Sequence, residues 1–210
     1  MIKLTTSVSS MPVATTPTSR KLYELAARHG GLFTTAEASQ AGISYRQLSY
    51  HVASGALERV SHGVYRLIDY PIHPHGDMIA ATLWAGPDSA VSHESALAVY
   101  GLASAMPPVI HLTVPSSFTG RRDGVRIHHE KLAPGERRLW DDIPVTTMER
   151  TLIDISSSSD RSLVRDAVRE SLEQGLTTRK RLAYALSSRE DRTRIARNLG
   201  LRLPAARKHA

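Results

Sequence analysis

Two helix-start signals stand ten residues apart in the first quarter of this 210-residue chain, Thr34-Thr35-Ala36-Glu37 and Ser44-Tyr45-Arg46-Gln47. In each, a hydroxyl residue is followed three positions later by Glu or Gln, the spacing at which side chains and backbone amides satisfy one another in the first turn of a helix. A helix opened by Thr34 must therefore end near Gly42, because the next one opens at Ser44. What remains between them is Gly42-Ile43 and the caps, which suits the short turn of a helix-turn-helix. An earlier helix is predicted after Pro17, with Leu22, Leu25 and Ala26 on one face, Thr18 or Ser19 as N-cap and Gly30-Gly31 as its stop. The third helix runs to Ser54 and stops at Gly55. Residues 57–60 and 64–67 then read as strands joined by Ser61-His62-Gly63, where Gly63 supplies the positive φ of a tight hairpin. Three short helices and a two-stranded ribbon predict a winged helix-turn-helix over residues 18–70.

On the third helix, Tyr45, Leu48 and Val52 lie within roughly 60° of one another at about 100° per residue and are expected to face the core. The opposite face carries Arg46, Gln47, Tyr50 and Ser54, with Ser44 at its start and His51 at its border. Arg reads the guanine edge and Gln the adenine edge of the major groove, while Tyr and Ser more often meet phosphate. Thr34 and Thr35 would offer free N–H groups and hydroxyls to a phosphate. The hairpin tip, with Arg59, His62 and Arg66, suits phosphate or minor-groove contact. The competing reading is a protein-binding module on which Arg46 and Gln47 form a solvated face. Residues 1–70 hold 7 Lys/Arg against 4 Asp/Glu, a modest excess, so affinity for DNA would come from two modules on a repeated site.

The rest of the chain changes character. Residues 71–160 carry 7 Lys/Arg against 11 Asp/Glu, and residues 161–210 carry 13 against 5. Residues 1–17 read as a flexible arm, 70–76 as a Pro/Gly linker, 77–190 as a mixed α/β domain and 191–210 as a basic tail with a frayed end. The fold class is thus α+β. Helices are expected over 77–84, 93–100 (capped by Ser92), from the Thr146–Glu149 box through Ile155, 161–174 and 179–186, and strands over 109–114, 124–129 and 143–145. Thr146 and Glu149 have capping-box spacing once more. Arg150 and Asp154, one helical turn apart, are either a surface ion pair or a half-buried structural tie. Arg161, Arg165 and Arg169 form a stripe that continues in Arg179-Lys180-Arg181, either solvated or in contact with DNA or an acidic protein surface.

No catalytic residues, metal or cofactor are expected, and the chain does not read as an enzyme. His128 and His129 are adjacent on a strand and point to opposite faces, so they cannot easily share one metal. His73-x-His75 sits in the Pro-rich linker, His93 stands beside Glu94, and no Gly-x-Ser-x-Gly, Walker A or His-Glu-x-x-His pattern occurs. The histidines are expected to be structural or surface residues. Cysteine is absent, which excludes disulfides, zinc fingers and thiol chemistry. No apolar run is long enough to span a bilayer, and Lys3 alone is positive before Pro17, so a secretory signal and a membrane partner are not expected. A cytoplasmic location is the expectation these features are consistent with.

Three segments carry a resemblance. Gly55-Ala56-Leu57-Glu58-Arg59-Val60-Ser61-His62-Gly63-Val64-Tyr65 is similar to the wing of the AbiE-type (AbiEi) antitoxins of nucleotidyltransferase toxins, with His62 where that family often has a basic residue. Ser92-His93-Glu94-Ser95-Ala96-Leu97-Ala98-Val99-Tyr100-Gly101-Leu102 and Ile143-Pro144-Val145-Thr146-Thr147-Met148-Glu149-Arg150-Thr151-Leu152-Ile153-Asp154 resemble further signatures of the same family, so the match spans roughly residues 18–190. The resemblance implies a winged helix that binds inverted repeats in its own operon promoter and a C-terminal antitoxin domain that counters the toxin without a tight stoichiometric complex. It implies a repressor and antitoxin of a type IV toxin–antitoxin operon, of the kind used in phage defence. The partners would be double-stranded promoter DNA and a nucleotidyltransferase-like toxin, and the basic stripe is a candidate for contact with either. The alternatives are a stand-alone winged-helix regulator with a C-terminal effector or dimerisation domain, and an adaptor that never touches DNA. Some proteins with a similar N-terminal half continue into a Vsr-like endonuclease, which needs carboxylates and a Lys on strands to hold Mg²⁺. After Asp154 this chain offers basic helices instead, so a nuclease is not expected.

Overall fold

A computed structural model describes residues 17–158 and 160–202. The arm expected over residues 1–17 lies outside the described residues except for Pro17, as do residues 203–210 of the expected tail. The chain divides into two compact units that part between Ile72 and His73.

The first unit opens with α1 (Pro17–Ala26) and a short 3-10 turn, Ala27–His29. The helix starts at Pro17 itself, not after a cap at Thr18 or Ser19, because proline's fixed φ suits the first helical position, where no N–H is needed. Next come β1 (Leu32–Thr34), α2 (Thr35–Gln40), α3 (Tyr45–Ala53), β2 (Leu57–Ser61) and β3 (Val64–Leu67). The three strands form an antiparallel sheet in the order β1-β3-β2, with Tyr65 opposite both Phe33 and Arg59. β1 was not expected from sequence: three residues give no alternation to detect, and its strand character comes from pairing with β3. Leu22, Leu25, Ala26, Phe33, Ala38, Ile43, Leu48, Leu57 and Tyr65 make the core, so every helix contributes to it. Each large apolar side chain fully buried there contributes roughly 1.5–3 kcal/mol. Gly31 has φ +98°, and a β-carbon there would lie 2.9 Å from Cδ1 of Tyr70, so any other residue would be strained and would press on that ring.

The second unit holds a mixed five-stranded sheet in the order β6-β5-β4-β8-β7. Its elements run α4 (Gly76–Ala85), β4 (Ala90–Val91), α5 (His93–Tyr100), β5 (Ile110–Val114), β6 (Val125–His129), β7 (Arg137–Trp140), β8 (Ile143–Thr146), α6 (Met148–Ile155), α7 (Arg161–Glu173), α8 (Arg179–Leu186) and α9 (Arg192–Asn198). β5 runs parallel to β6 and β4 parallel to β8, while β4/β5 and β7/β8 are antiparallel.

Three local expectations are corrected here. Ser92 occupies the N-cap of α5 but makes no capping bond, its hydroxyl lying 3.0 Å from Nδ1 of His93 instead. The Thr146/Glu149 capping box does not form. Thr147 is the N-cap of α6, Thr146 pairs with the Thr151 hydroxyl, and the buried Glu149 accepts from Thr177 and pairs with Arg181. The first part of the expected basic tail is the helix α9, which buries Ile195 and Ala196 and turns its arginines outward. Among the described residues, no helix is long and apolar enough to cross a membrane.

Candidate nucleic-acid interface

Both capping boxes of the first unit are present, and they fix how α2 and α3 enter and leave their turn. The Ser44 N–H and hydroxyl both donate to Oε1 of Gln47, at 2.8 and 3.0 Å, and the Gln47 N–H donates back to Ser44 Oγ at 3.3 Å. At α2, the Thr34 N–H donates to Oε2 of Glu37 at 2.7 Å, and the second carboxylate oxygen meets Nε2 of His29 at 2.7 Å. Burial alone would raise the Glu37 pKa. The hydrogen bonds from His29 and from the N–H and hydroxyl of Thr34 outweigh it, with the His29 charge adding to them, and hold the carboxyl at about 2.

α3 presents a broad outward face. Leu48 is fully buried and Val52 half-buried, as expected, but Tyr45 is 63% exposed and not a core residue. It is the first residue of the helix, one turn beyond the point where Leu48 enters the core, and the apolar interior does not reach it. Tyr45 therefore joins Arg46, Gln47 and Tyr50, itself 69% exposed, on the solvent side. Arg46 has no hydrogen bond or ion pair among the described residues. Gln47 is more constrained than its exposure suggests. With both lone pairs of Oε1 held by Ser44, only its amide N–H groups are left, so it can donate to a purine N7 but cannot also accept from the adenine amino group.

The other predicted contacts are distributed less favourably. The Thr34 and Thr35 N–H groups are not free for a phosphate: Thr34 donates to Glu37, and Thr35 donates to the Gly63 carbonyl at 2.8 Å, with its hydroxyl also on that carbonyl. The local reason is that α2 starts directly at the end of β1, where the hairpin turn completes its hydrogen bonding. Ser54 turns its hydroxyl back onto the His51 carbonyl. Arg66 is paired across the hairpin with Glu58, its register partner, which cancels its charge. Arg59 lies 3.3 Å from Nδ1 of His62, and both remain exposed at the hairpin tip. The structure thus groups Tyr45, Arg46, Gln47 and Tyr50 on α3 and leaves Arg59 with His62 at the hairpin, while Thr34, Thr35, Ser54 and Arg66 are engaged within the unit.

In the second unit, the basic stripe splits in two. Arg165, Arg179 and Lys180 are exposed without an ion pair among the described residues. Arg161 reaches the Ser156 carbonyl, Arg169 pairs with Asp166 and Glu170, and Arg181 holds the buried Glu149 at 2.9 Å. Arg150 is a structural hub, only 3% exposed, bonded to Asp154 at 2.6 Å, to Glu136 at 3.0 Å and to Glu130. Burial pushes the Asp154 carboxyl up to about 7 in spite of Arg150, and its Oδ2 is buried without a hydrogen-bond partner among the described residues.

The histidines also gather. The ligand atoms of His93, His111 and His128 all lie within 4.8 Å of one another. His128 on β6 and His111 on β5 share a sheet face because parallel pairing sets His111 beside Arg126, two residues before His128. Sequence reasoning weighed each histidine against its immediate neighbours and so missed this trio. Alternation along the two strands was the available signal, but it required knowing that β5 and β6 are adjacent.

Comparison with known proteins relates the chain to a family model and to solved structures. Residues 20–68, nearly all of the described part of the first unit, match the family model described as transcriptional regulator, AbiEi antitoxin. The crystal structure of the RV2827C protein from Mycobacterium tuberculosis superposes with a TM-score of 0.51 at 17% sequence identity, over 87% of this chain and 75% of that one. That likeness is one of fold. No curated protein sequence matches the chain.

Proposed function

We propose that the first unit is a winged helix-turn-helix that binds double-stranded DNA through α3, and that the chain is the antitoxin and self-repressor of a toxin–antitoxin operon. In this reading it acts in the cytoplasm, is not an enzyme, and counters a nucleotidyltransferase-like toxin through its second unit. The observation that carries the DNA-binding part is the outward face of α3, where an unpaired Arg46 stands between two exposed tyrosines. The match of residues 20–68 to an antitoxin and transcriptional-regulator family supports the pairing of the two roles.

The chemistry of recognition follows from what each side chain has left to offer. The Arg46 guanidinium presents its fork to the N7 and O6 atoms of a guanine. Gln47 donates to a neighbouring acceptor. Tyr45 and Tyr50 meet the phosphates that flank the groove, and Arg59 with His62 reaches the backbone beyond it. Because the unit carries few unpaired cations, its non-specific affinity is low, and two copies on an inverted repeat supply the rest.

The test is fluorescence anisotropy of the full chain on DNA from upstream of its own gene, against an unrelated duplex. Arg46→Ala should weaken binding about 5- to 150-fold, the worth of roughly 1–3 kcal/mol for one bidentate base contact. The same variant should still rescue cells that express the neighbouring toxin. Equal affinity for the two duplexes, or an unchanged affinity in Arg46→Ala, sinks the DNA-binding assignment. Loss of rescue in that variant sinks the separation of the two roles.

A further inference from the structure

We propose that His93, His111 and His128 form a binding site for one divalent transition-metal ion of the zinc class within the second unit. Three elements that are distant in sequence deliver the rings. His93 is the first residue of α5, His111 lies in β5 and His128 in β6. Zinc bound to imidazole nitrogens at about 2.0–2.1 Å in a tetrahedral array sets the nitrogens about 3.3 Å apart. Nδ1 of His111 and Nε2 of His128 are already 3.1 Å apart, and all three ligand atoms fall within 4.8 Å. Closure therefore takes only ring rotation, chiefly of His93, which now stacks on His128 with ring centres 3.7 Å apart.

Several features fit a metal better than a chance gathering of rings. His93 has a backbone φ of +52°, the left-handed region that residues with a β-carbon rarely adopt, and such departures concentrate at functional sites. Its Nδ1 is 3.0 Å from the Ser92 hydroxyl, an outer contact that leaves Nε2 to bind. The His111 N–H donates to Ser95 Oγ at 2.9 Å, which ties β5 to the same helix. Burial, with neighbouring positive charge, lowers the pKa of His93 to about 3 and that of His128 to about 4, and it lowers that of His111 as well. An all-imidazole donor set selects zinc, copper or nickel over magnesium and calcium, which require oxygen. Arg126, on the His128 side of β6, opposes a dication, so the expected dissociation constant is micromolar, not picomolar.

The test is calorimetric titration of the full chain, free of any tag, with Zn²⁺, alongside the visible absorption of its Co²⁺ form. One ion per chain should bind with a dissociation constant at or below about 10 μM, and Co²⁺ should give the intense bands of a four- or five-coordinate site. His93→Asn and His128→Asn should each weaken Zn²⁺ binding at least about 10-fold. His73→Asn and His75→Asn, which remove the linker histidines, should leave it unchanged. Absence of saturable Zn²⁺ binding, a weak octahedral-type Co²⁺ spectrum, or undiminished binding in both site variants overturns the proposal and leaves a hydrogen-bonded stack of imidazoles. Should the variants lose their far-UV dichroism without metal, the wild-type Co²⁺ spectrum decides alone.

Discussion

Replacing Gln47 with Glu separates two roles that this residue combines. The carboxylate keeps the acceptor that receives the Ser44 N–H at 2.8 Å and the Ser44 hydroxyl at 3.0 Å, so the capping box survives. It also sets a negative charge in the first turn of α3, at the positive end of the helix dipole, which stabilises by about 0.3–1 kcal/mol. For a chain of this size that is a rise in Tm of roughly 1–4 °C. DNA binding should move the other way. The amide, the only part of Gln47 that Ser44 does not hold, is lost, and an anion now faces the acceptors of the groove and the phosphates. A loss of about 1–3 kcal/mol is expected, or about 5- to 150-fold in affinity. Gln47→Ala provides the contrast, since it removes both acceptor and donor and should lower stability by about 0.5–1 kcal/mol together with affinity. Differential scanning fluorimetry and anisotropy on promoter DNA read the two effects on the same samples. A Gln47→Glu protein that binds DNA as the wild type does would show that this face stays out of the groove. One that melts earlier would show that the acceptor is not what steadies the helix.

Other perturbations probe the scaffold. Arg150→Met removes the partner of the buried Asp154, whose carboxyl, already pushed up to about 7, then takes up a proton at neutral pH while the partly exposed Glu130 and Glu136 rehydrate, so urea unfolding should show a loss of about 3 kcal/mol, the low end for breaking a buried pair. Adding Asp154→Leu should recover most of that loss, and failure to recover would refute the hub. The Glu37 carboxyl is held at about 2 against its ordinary 4.5, so its stabilising contribution is full above pH 4.5 and is lost as pH falls toward 2. Thermal melts should therefore show acid destabilisation on the order of 2 kcal/mol that Glu37→Gln removes; an unaltered acid limb would contradict the His29–Glu37 tie. Gly31→Ala should cost about 1–3 kcal/mol from the left-handed backbone and the approach to Tyr70, and a neutral result would mean that the ring moves aside freely.

What could be read in the sequence was local, and what could not was contact between distant segments. The boxes at Thr34/Glu37 and Ser44/Gln47 formed because everything they need lies within four residues. Thr146 and Glu149 have identical spacing, but Glu149 is claimed by Thr177 and Arg181, residues that no nearby pattern announces. Helical periodicity put Leu48 inward but also Tyr45, since angle around an axis says nothing of where along that axis the core ends. The short strands β1, β4 and β7 went unseen for a related reason: they are strands by virtue of their partners. The arginine stripe looked uniform along the helices, yet carboxylates answer Arg169 and Arg181, the Ser156 carbonyl takes Arg161, and among the described residues Arg165, Arg179 and Lys180 have no such partner. His93, His111 and His128 met only because a parallel strand pair and a helix start converge.

The order of strands in the second unit dictates when that unit can form. Its middle strand, β4, is just two residues long and pairs with β5 on one side and with β8 on the other. During synthesis, β5 and β6 can meet β4 soon after they leave the ribosome, but the far side of β4 has no neighbour until Ile143–Thr146 emerges. The first unit, whose last strand ends at Leu67, is complete long before then. A nascent chain therefore carries a finished N-terminal head while half of the sheet behind it still waits for its seam to close.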